Sequence, residues 1–136
     1  MMVAYLLDTN IVSEGMKRRP NAAVAHWLAG IGDAGYLSVL TIGELRRGER
    51  MLARKDPRQA AVVAEWIRDV ESAYGDQIID LDVAAAARWA ELSAGRTLPV
   101  VDALIAATAL AHDLTLVTRN VQDFDGTGVR TFNPFG

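Results

Sequence analysis

The stretch that decides the fold is VAYLLDTNIVSE, residues 3–14, in which a short apolar run stops abruptly at an acidic residue. The run Val3–Leu7 predicts a strand buried on both faces, because such strands are continuously apolar and do not alternate with polar residues. Asp8 follows it directly, and Thr9 or Asn10 is predicted to cap a short helix. An apolar strand that leads straight into a helix is typical of a parallel sheet covered by helices.

The rest of the chain repeats this alternation of short apolar runs and longer helical patterns. Further strands are predicted at Tyr36–Val39, Ile78–Leu81, Leu114–Val117 and Val129–Phe132. Helices are predicted from Asn21 to about Leu28, Thr41 to Lys55, Arg58 to Tyr74, Asp82 to about Gly95 and Pro99 to about His112. This order predicts an α/β fold with a parallel sheet, and the lack of a linker or repeat predicts one domain over residues 1–136.

The composition excludes several classes of protein. With 136 residues, 51% of them apolar and 23% charged, the chain can form the core of one folded domain. It has no cysteine, which excludes a disulfide framework, a thiolate zinc site and a cysteine nucleophile. Its net charge of -3 lacks the basic footprint usual in general nucleic-acid binders. Without a leader peptide or an apolar run of about 18–20 residues, the protein is predicted to be cytoplasmic and free of membranes.

Four acidic residues stand where strands end or helices begin. Asp8 ends the first strand, and Asp123 follows a later one. Glu44 lies near the start of one predicted helix, and Asp102 is the only charge in the first turns of another. Asp8 and Asp102 would also suit a helix start for structural reasons alone, and Asp123 a polar loop. Thr41 and Glu44 have the spacing of a capping box, which is a complete structural explanation by itself.

The joint placement of these carboxylates favours a metal site. Strand ends and the helix starts beside them meet at one edge of a parallel sheet, so the four side chains are expected to lie close together. Several carboxylates at one edge repel each other and need a cation. Carboxylate, amide and hydroxyl oxygens, including those of Thr118 and Asn120, are ligands suited to Mg²⁺ or Mn²⁺.

Four motifs carry most of these residues. They are LLDTNIVSE (6–14), TIGELRRG (41–48), LPVVDALIAATAL (98–110) and LVTRNVQDF (116–124). In this order and spacing they resemble the PIN-domain family, most closely the VapC-like toxins of bacterial toxin–antitoxin pairs. The resemblance implies a three-layer α/β/α sandwich with a short parallel sheet. It also implies a Mg²⁺-dependent endoribonuclease, a small VapB-like antitoxin with a basic carboxyl-terminal segment, and a homodimer.

The resemblance also assigns roles to residues around the site. The catalytic and metal-binding acidic positions fall on Asp8, Glu44, Asp102 and Asp123. We expect Asp8 and Asp102 to ligate an ion directly and the other two to complete its site. The polar positions, expected to contact those ligands or the substrate, fall on Asn10, Ser13, Thr118 and Asn120. Such a site suits hydrolysis of an RNA phosphodiester, because metal ions lower the pKa of water and neutralise the charge on the phosphate.

A basic helical stretch after the second acidic residue is a candidate surface for RNA. Arg46 and Arg50 recur at four-residue spacing, with Arg47 beside them, and Arg119 lies within the last motif. A second basic cluster occupies residues 17–19. These side chains could contact phosphates without reading a sequence. An ordinary solvated helix face, balanced by neighbouring acidic residues, is the structural alternative.

Three other functions fit parts of the pattern. A metal-dependent deoxyribonuclease of the same fold would use the same carboxylates. A catalytically inert module that only binds an antitoxin would not need them. A phosphoacceptor receiver domain also has aspartates at strand ends, but it requires a lysine on a late strand, and only Lys17 and Lys55 occur here.

Overall fold

The first predicted strand lies in the middle of the sheet, where its continuously apolar sequence suits it. The computed structural model describes residues 3–136. Strand β1 (Tyr5–Leu7) pairs on one side with β2 (Gly35–Ser38) and on the other with β4 (Thr115–Val117). The short strands β3 (Ile78–Ile79) and β5 (Thr131–Phe132) form the edges. The order is β3-β2-β1-β4-β5, and every pairing is parallel.

Helices cover both faces of this sheet. One face carries α1 (Thr9–Val12), α2 (Ala22–Ile31), α3 (Val39–Ala53) and α4 (Pro57–Tyr74). The other carries α5 (Val83–Ser93) and α6 (Val100–Ala111). The prediction of a three-layer α/β/α sandwich with a short parallel sheet is therefore confirmed. Within residues 3–136, no helix is both long enough and apolar enough to cross a membrane.

The two central strands supply side chains to both cores. Leu6 and Leu116 pack with α5 and α6, whereas Leu7 and Val117 pack with the helices of the opposite face. All four side chains are at most 1% exposed. Because successive residues of a strand point to opposite faces, a strand covered on both sides must be apolar at every position. This explains why the sequence of β1 does not alternate.

Four strands are shorter than the sequence predicts, and one of them, β4, lacks only Leu114. The predictions at Val3–Leu7, Ile78–Leu81 and Val129–Phe132 each include apolar residues that lie outside the observed strands. The strands β3 and β5 are the edges of the sheet, so each has a single hydrogen-bonded neighbour. An apolar run therefore predicts edge strands that are too long, because apolar residues indicate which positions are buried and not which backbone groups are paired.

The start of α1 also differs from its prediction. The carboxylate of Asp8 accepts a hydrogen bond from the Thr9 backbone N–H at 2.8 Å, so Asp8 is the N-cap. Neither Thr9 nor Asn10 has that role, because the helix begins immediately after the strand. The residue that ends β1 therefore also starts α1. Asp8 can therefore cap the helix and also belong to a functional site, because a carboxylate has two oxygens and the cap uses one of them.

The structure excludes a capping box at Thr41 and Glu44, which was the structural alternative to a role of Glu44 in the site. The helix α3 begins at Val39, and the Ser38 hydroxyl caps it by accepting a hydrogen bond from the Leu40 N–H at 3.0 Å. The strand β2 passes into this helix without a loop, which moves the start of the helix towards the N-terminus. Glu44 therefore lies in the second turn, where capping does not explain it.

Candidate active site

An open cleft of about 330 Å³ lies at the edge of the sheet where the central strands end. Its walls come from the residues after β1, the second turn of α3, the first turn of α6 and the segment after β4. The lining residues are Asp8, Thr9, Asn10, Ser13, Glu44, Asp102, Asn120, Asp123 and Phe124. The structure thus places all four acidic residues that the sequence singled out around one cleft.

Asp8 is the most constrained of the four carboxylates. It is 7% exposed, and Oδ2 accepts hydrogen bonds from the Thr118 hydroxyl at 2.9 Å and the Asn10 amide at 3.3 Å. Burial raises the pKa of Asp8, while these bonds and the one from the Thr9 N–H favour the charged form and oppose the rise. Thr118 is fully buried behind Asp8 and does not line the cleft, so it orients this carboxylate.

Glu44 is held by a contact that the sequence did not reveal. The Thr9 hydroxyl donates a hydrogen bond to Glu44 Oε1 and lies 3.4 Å from the hydroxyl of the fully buried Thr41. Thr9 therefore joins the segment after β1 to the helix α3. The only signal in the sequence is that Thr9 directly follows Asp8. Phe124, which also lines the cleft, gave no signal beyond its place beside Asp123.

Asp102 lies in the first turn of α6, as predicted, and is surrounded by like charges. Burial raises the pKa of Asp102, and the negative charges of Asp8, Glu44 and Asp123 raise it further. None of the ion pairs formed within residues 3–136 involves Asp102. A carboxylate whose charged form is disfavoured in an open cleft is a candidate functional group.

Neutral polar groups complete the walls of the cleft. Asn10, Ser13 and Asn120 line it, as the sequence predicted for side chains near the ligands. The Asn120 backbone N–H donates to the Thr118 hydroxyl at 3.2 Å, which ties the segment after β4 to the hydroxyl that supports Asp8. Asp123 is exposed on the short 3₁₀ turn that follows. This turn brings the fourth carboxylate to the rim of the cleft.

The donor set of the cleft fits a hard divalent cation. Its charged donors are carboxylate oxygens, and its neutral donors include amide and hydroxyl oxygens, which Mg²⁺ and Mn²⁺ prefer. Among residues 3–136, no three carboxylate or imidazole side chains are gathered closely enough to enclose an ion by themselves. Mg²⁺ usually keeps several waters and takes one or two carboxylates directly. An ion bound here would therefore take one or two of these carboxylates directly and keep several of its waters.

The arginine stripe predicted on α3 is partly neutralised and lies outside the cleft. Arg46 Nη2 donates to Glu71 Oε1 of α4 at 2.6 Å. Arg50 Nη1 lies 3.8 Å from the buried carboxylate of Glu49. Arg47 is exposed. In the part of the chain that the structure describes, none of these three arginines lines the cleft.

Comparison with known proteins agrees with the fold. The model of the PIN domain family matches residues 5–128, and this chain belongs to that family. It is 34% identical over 137 residues to "Toxin FitB" from Neisseria gonorrhoeae, covering 96% of this chain and 97% of that relative. It is 31% identical to "VapC ribonuclease Y4jK" from Sinorhizobium fredii, with 96% of each chain covered. The crystal structure of FitAcB from Neisseria gonorrhoeae is similar with a TM-score of 0.86 at 33% identity, covering 96% of this chain and 97% of that one.

Proposed function

We propose that this protein is a Mg²⁺-dependent endoribonuclease and the toxin of a toxin–antitoxin pair. The observation that carries the proposal is the cleft around which Asp8, Glu44, Asp102 and Asp123 meet. Four carboxylates with little positive charge near them repel one another, and this repulsion destabilises the folded protein. Their gathering is therefore better explained by a function than by a contribution to folding. Two relatives of nearly the same length are named a toxin and a ribonuclease, which supports this activity over others of the fold.

The residues of the cleft divide into ligands and supports. Asp8 and Asp102 would hold the ion directly, and Glu44 and Asp123 would complete its site; Mn²⁺ suits the same oxygens. When bound, the cation supplies an activated water and neutralises charge on the phosphate. Thr118 fixes the orientation of the Asp8 carboxylate through its 2.9 Å hydrogen bond.

The neutral side chains of the cleft would position the RNA. Asn10 already donates to Asp8 and accepts from the Arg119 backbone N–H at 3.2 Å, so it is held rigidly at the floor of the site. Ser13 and Asn120 offer a hydroxyl and an amide to the same space. Such groups can hydrogen-bond phosphate and sugar oxygens, which fixes the strand without reading its sequence.

Replacement of Asp102 tests the proposed activity directly. The side chain of Asp102→Asn keeps its shape but loses a negative oxygen, so we expect RNA cleavage with Mg²⁺ to fall by more than about 100-fold, since even outer-shell partners of a metal contribute about 10–100-fold. Cleavage is measured on a labelled single-stranded RNA and on the matched DNA. Asp69→Asn on the exposed side of α4 is the control and should cut like wild type.

Three outcomes would contradict the proposal. A folded Asp102→Asn variant that cuts RNA at the wild-type rate would remove Asp102 from the site. Cleavage of the DNA in preference to the RNA would make the protein a deoxyribonuclease of the same fold. No cleavage of either by folded wild-type protein in Mg²⁺ or Mn²⁺ would make it an inert module that only binds its partner.

We also propose a partner and a cellular setting. The partner is a small VapB-like antitoxin whose basic carboxyl-terminal segment enters the cleft. A guanidinium can pair with two carboxylate oxygens at once, so it could occupy the acidic site in place of the cation. We further propose that the toxin is a homodimer and acts in the cytoplasm, where its RNA substrates are.

A further inference from the structure

A second cavity adjoins the acidic cleft. It measures about 300 Å³ and shares two lining residues, Asn120 and Asp123, with the cleft. Its other lining residues are Arg119, Val121, Gln122 and Asn133. The two hollows therefore share a wall that carries the Asp123 carboxylate. Beyond it, the second cavity is lined by the Arg119 guanidinium and the neutral amides of Gln122 and Asn133.

Arg119 is fixed in place at this second cavity. Its backbone N–H donates to Asn10 Oδ1 at 3.2 Å, and its carbonyl accepts from Asn133 Nδ2 at 3.5 Å. Its guanidinium lies 4.6 Å above the centre of the Phe135 ring. Asn133 is itself held, because its Oδ1 accepts from the Phe135 N–H at 2.9 Å. The side chain thus sits in a frame that is tied to the floor of the acidic cleft.

The charge of Arg119 helps to lower the pKa of Glu14 at longer range, but no close ion pair among the described residues neutralises it. A guanidinium stacked on an aromatic ring uses its face, which leaves the N–H groups at its edge free to bind an anion such as phosphate. On α3, Arg46 is paired with Glu71 and Arg50 faces Glu49. Arg47 takes part in none of these ion pairs, but it is exposed and does not line the acidic cleft.

The hollow beside the α3 arginines also lacks a connection to the cleft. It is lined by Gly48, Met51, Leu52, Arg54 and Lys55, none of which lines the acidic cleft. A strand bound in the cleft therefore continues more directly towards Arg119 than along α3. Asp123 stands on the shared wall, so a phosphate is repelled there and favoured on the Arg119 side.

We infer that the second cavity is a subsite for the nucleotide next to the scissile phosphate of a single-stranded RNA. Arg119 binds the phosphate of that nucleotide, and the amides of Gln122 and Asn133 face its sugar and base. The inference rests on the proposed ribonuclease function, since it concerns the path of the same substrate. In this proposal Arg119, and not the arginine stripe on α3, is the main basic contact with RNA.

The salt dependence of RNA binding tests this assignment. Affinity for a fluorescent single-stranded RNA is measured by anisotropy at several salt concentrations, in EDTA and in the Asp102→Asn background, so that binding is read without cleavage. Each phosphate contact to a single strand contributes about 0.7 to the slope of log affinity against log salt. We expect Arg119→Gln to reduce that slope by about 0.7 and to weaken binding up to about fivefold, the size of one exposed ion pair.

Three further variants make the test specific. Arg119→Lys keeps the charge and should keep the slope, which separates a lost phosphate contact from a local distortion. Gln122→Ala should weaken binding with an unchanged slope, because an amide releases no counterions. Arg50→Gln on α3 is the matched control and should leave both affinity and slope as they were. Thermal melts verify that each variant is folded.

Three results of these RNA-binding measurements would contradict a subsite at Arg119. An unchanged slope in Arg119→Gln, a slope that falls as much in Arg50→Gln, or no RNA binding at low salt even after Mg²⁺ is added to the Asp102→Asn protein would each exclude it. The proposed function is tested separately, by measuring whether wild-type protein cleaves RNA with Mg²⁺. A protein that binds RNA through Arg119 and does not cut it would keep Arg119 as a phosphate contact and remove the nuclease.

Discussion

At the scale of single residues, the acidic cleft opposes the folding of the protein that carries it. The pKa of Asp102 is raised by burial and by three neighbouring carboxylates, so its charged form is less favourable in the folded than in the unfolded chain. A carboxyl group with a raised pKa in the folded state weakens folding as the pH rises through that value. The native charge at this position is therefore kept at the expense of stability, as is common in functional sites.

Removal of this charge should stabilise the protein when no cation is present. We expect Asp102→Asn to raise the melting temperature in EDTA at pH 7 by roughly 2–4 °C, through the relief of repulsion from Asp8, Glu44 and Asp123. The gain should shrink as the pH falls through the raised pKa towards the unfolded value of about 3.9, because Asp102 is then increasingly protonated in both states. Thermal melts from pH 4 to 8 measure it.

The same comparison of melting temperatures is then made with Mg²⁺ in place of EDTA. An ion that binds only the folded site stabilises wild type more than the variant, so the difference in melting temperature should narrow or reverse. Asp69→Asn should melt like wild type in either condition. A variant that melts at or below the wild-type temperature in EDTA would mean that repulsion in the cleft is negligible.

At the scale of elements, the position of Glu44 depends on where α3 begins. The Ser38 side chain is 1% exposed, ends β2 and caps this helix at Leu40. The direct passage from strand to helix places Glu44 in the second turn, within reach of the Thr9 hydroxyl. Ser38 therefore stabilises the junction of β2 and α3 that places Glu44 at the wall of the cleft.

Loss of this cap should weaken the whole domain. We expect Ser38→Ala to lower the free energy of unfolding by about 1 kcal/mol, the usual contribution of a serine N-cap, and the melting temperature by about 3–5 °C. Ser72→Ala on the exposed surface of α4 removes the same hydroxyl from a helix interior and should not destabilise, because alanine is the better helix former. Equal effects of the two changes on urea denaturation would contradict a capping role.

Some elements could be predicted from the sequence and others could not. The central strand and the helix around Asp102 were predictable, because burial on both faces and an uninterrupted apolar helix leave strong patterns. The start of α3 was not, since Thr41 and Glu44 match a capping box by spacing alone. The lengths of β3 and β5 depend on pairing with a single neighbour, which no local pattern encodes.

At the scale of the whole molecule, the net charge of -3 conceals an uneven distribution. With the four carboxylates of the cleft set aside, 13 acidic residues remain against 14 basic ones. The acidity that argued against a nucleic-acid partner is thus concentrated in one cleft, and a divalent cation would offset it there. The gathering of these carboxylates was predictable from parallel topology. The second cavity was not, because nothing in the sequence relates Asn133 and Phe135 to Arg119.

An acidic cleft on a nearly neutral surface predicts that the antitoxin binds there through basic side chains. We expect induced expression of this protein alone to arrest growth, and co-expression of a small protein encoded beside it, with a basic carboxyl-terminal segment, to restore growth. Replacement of the arginines and lysines in that segment should abolish the rescue, because the cleft would then lack a cation from its partner. Growth curves measure both effects, and rescue that survives the loss of these charges would place the contact elsewhere.

The cleft is built from parts that the ribosome makes at different times. Asp8 is made near the beginning and Asp123 near the end, and β1 gains its neighbour β4 only after residue 117 has been added. For most of its synthesis, a growing chain therefore has neither a complete sheet nor four carboxylates around one cleft. We therefore expect the proposed nuclease activity to be absent until synthesis of the chain is nearly complete.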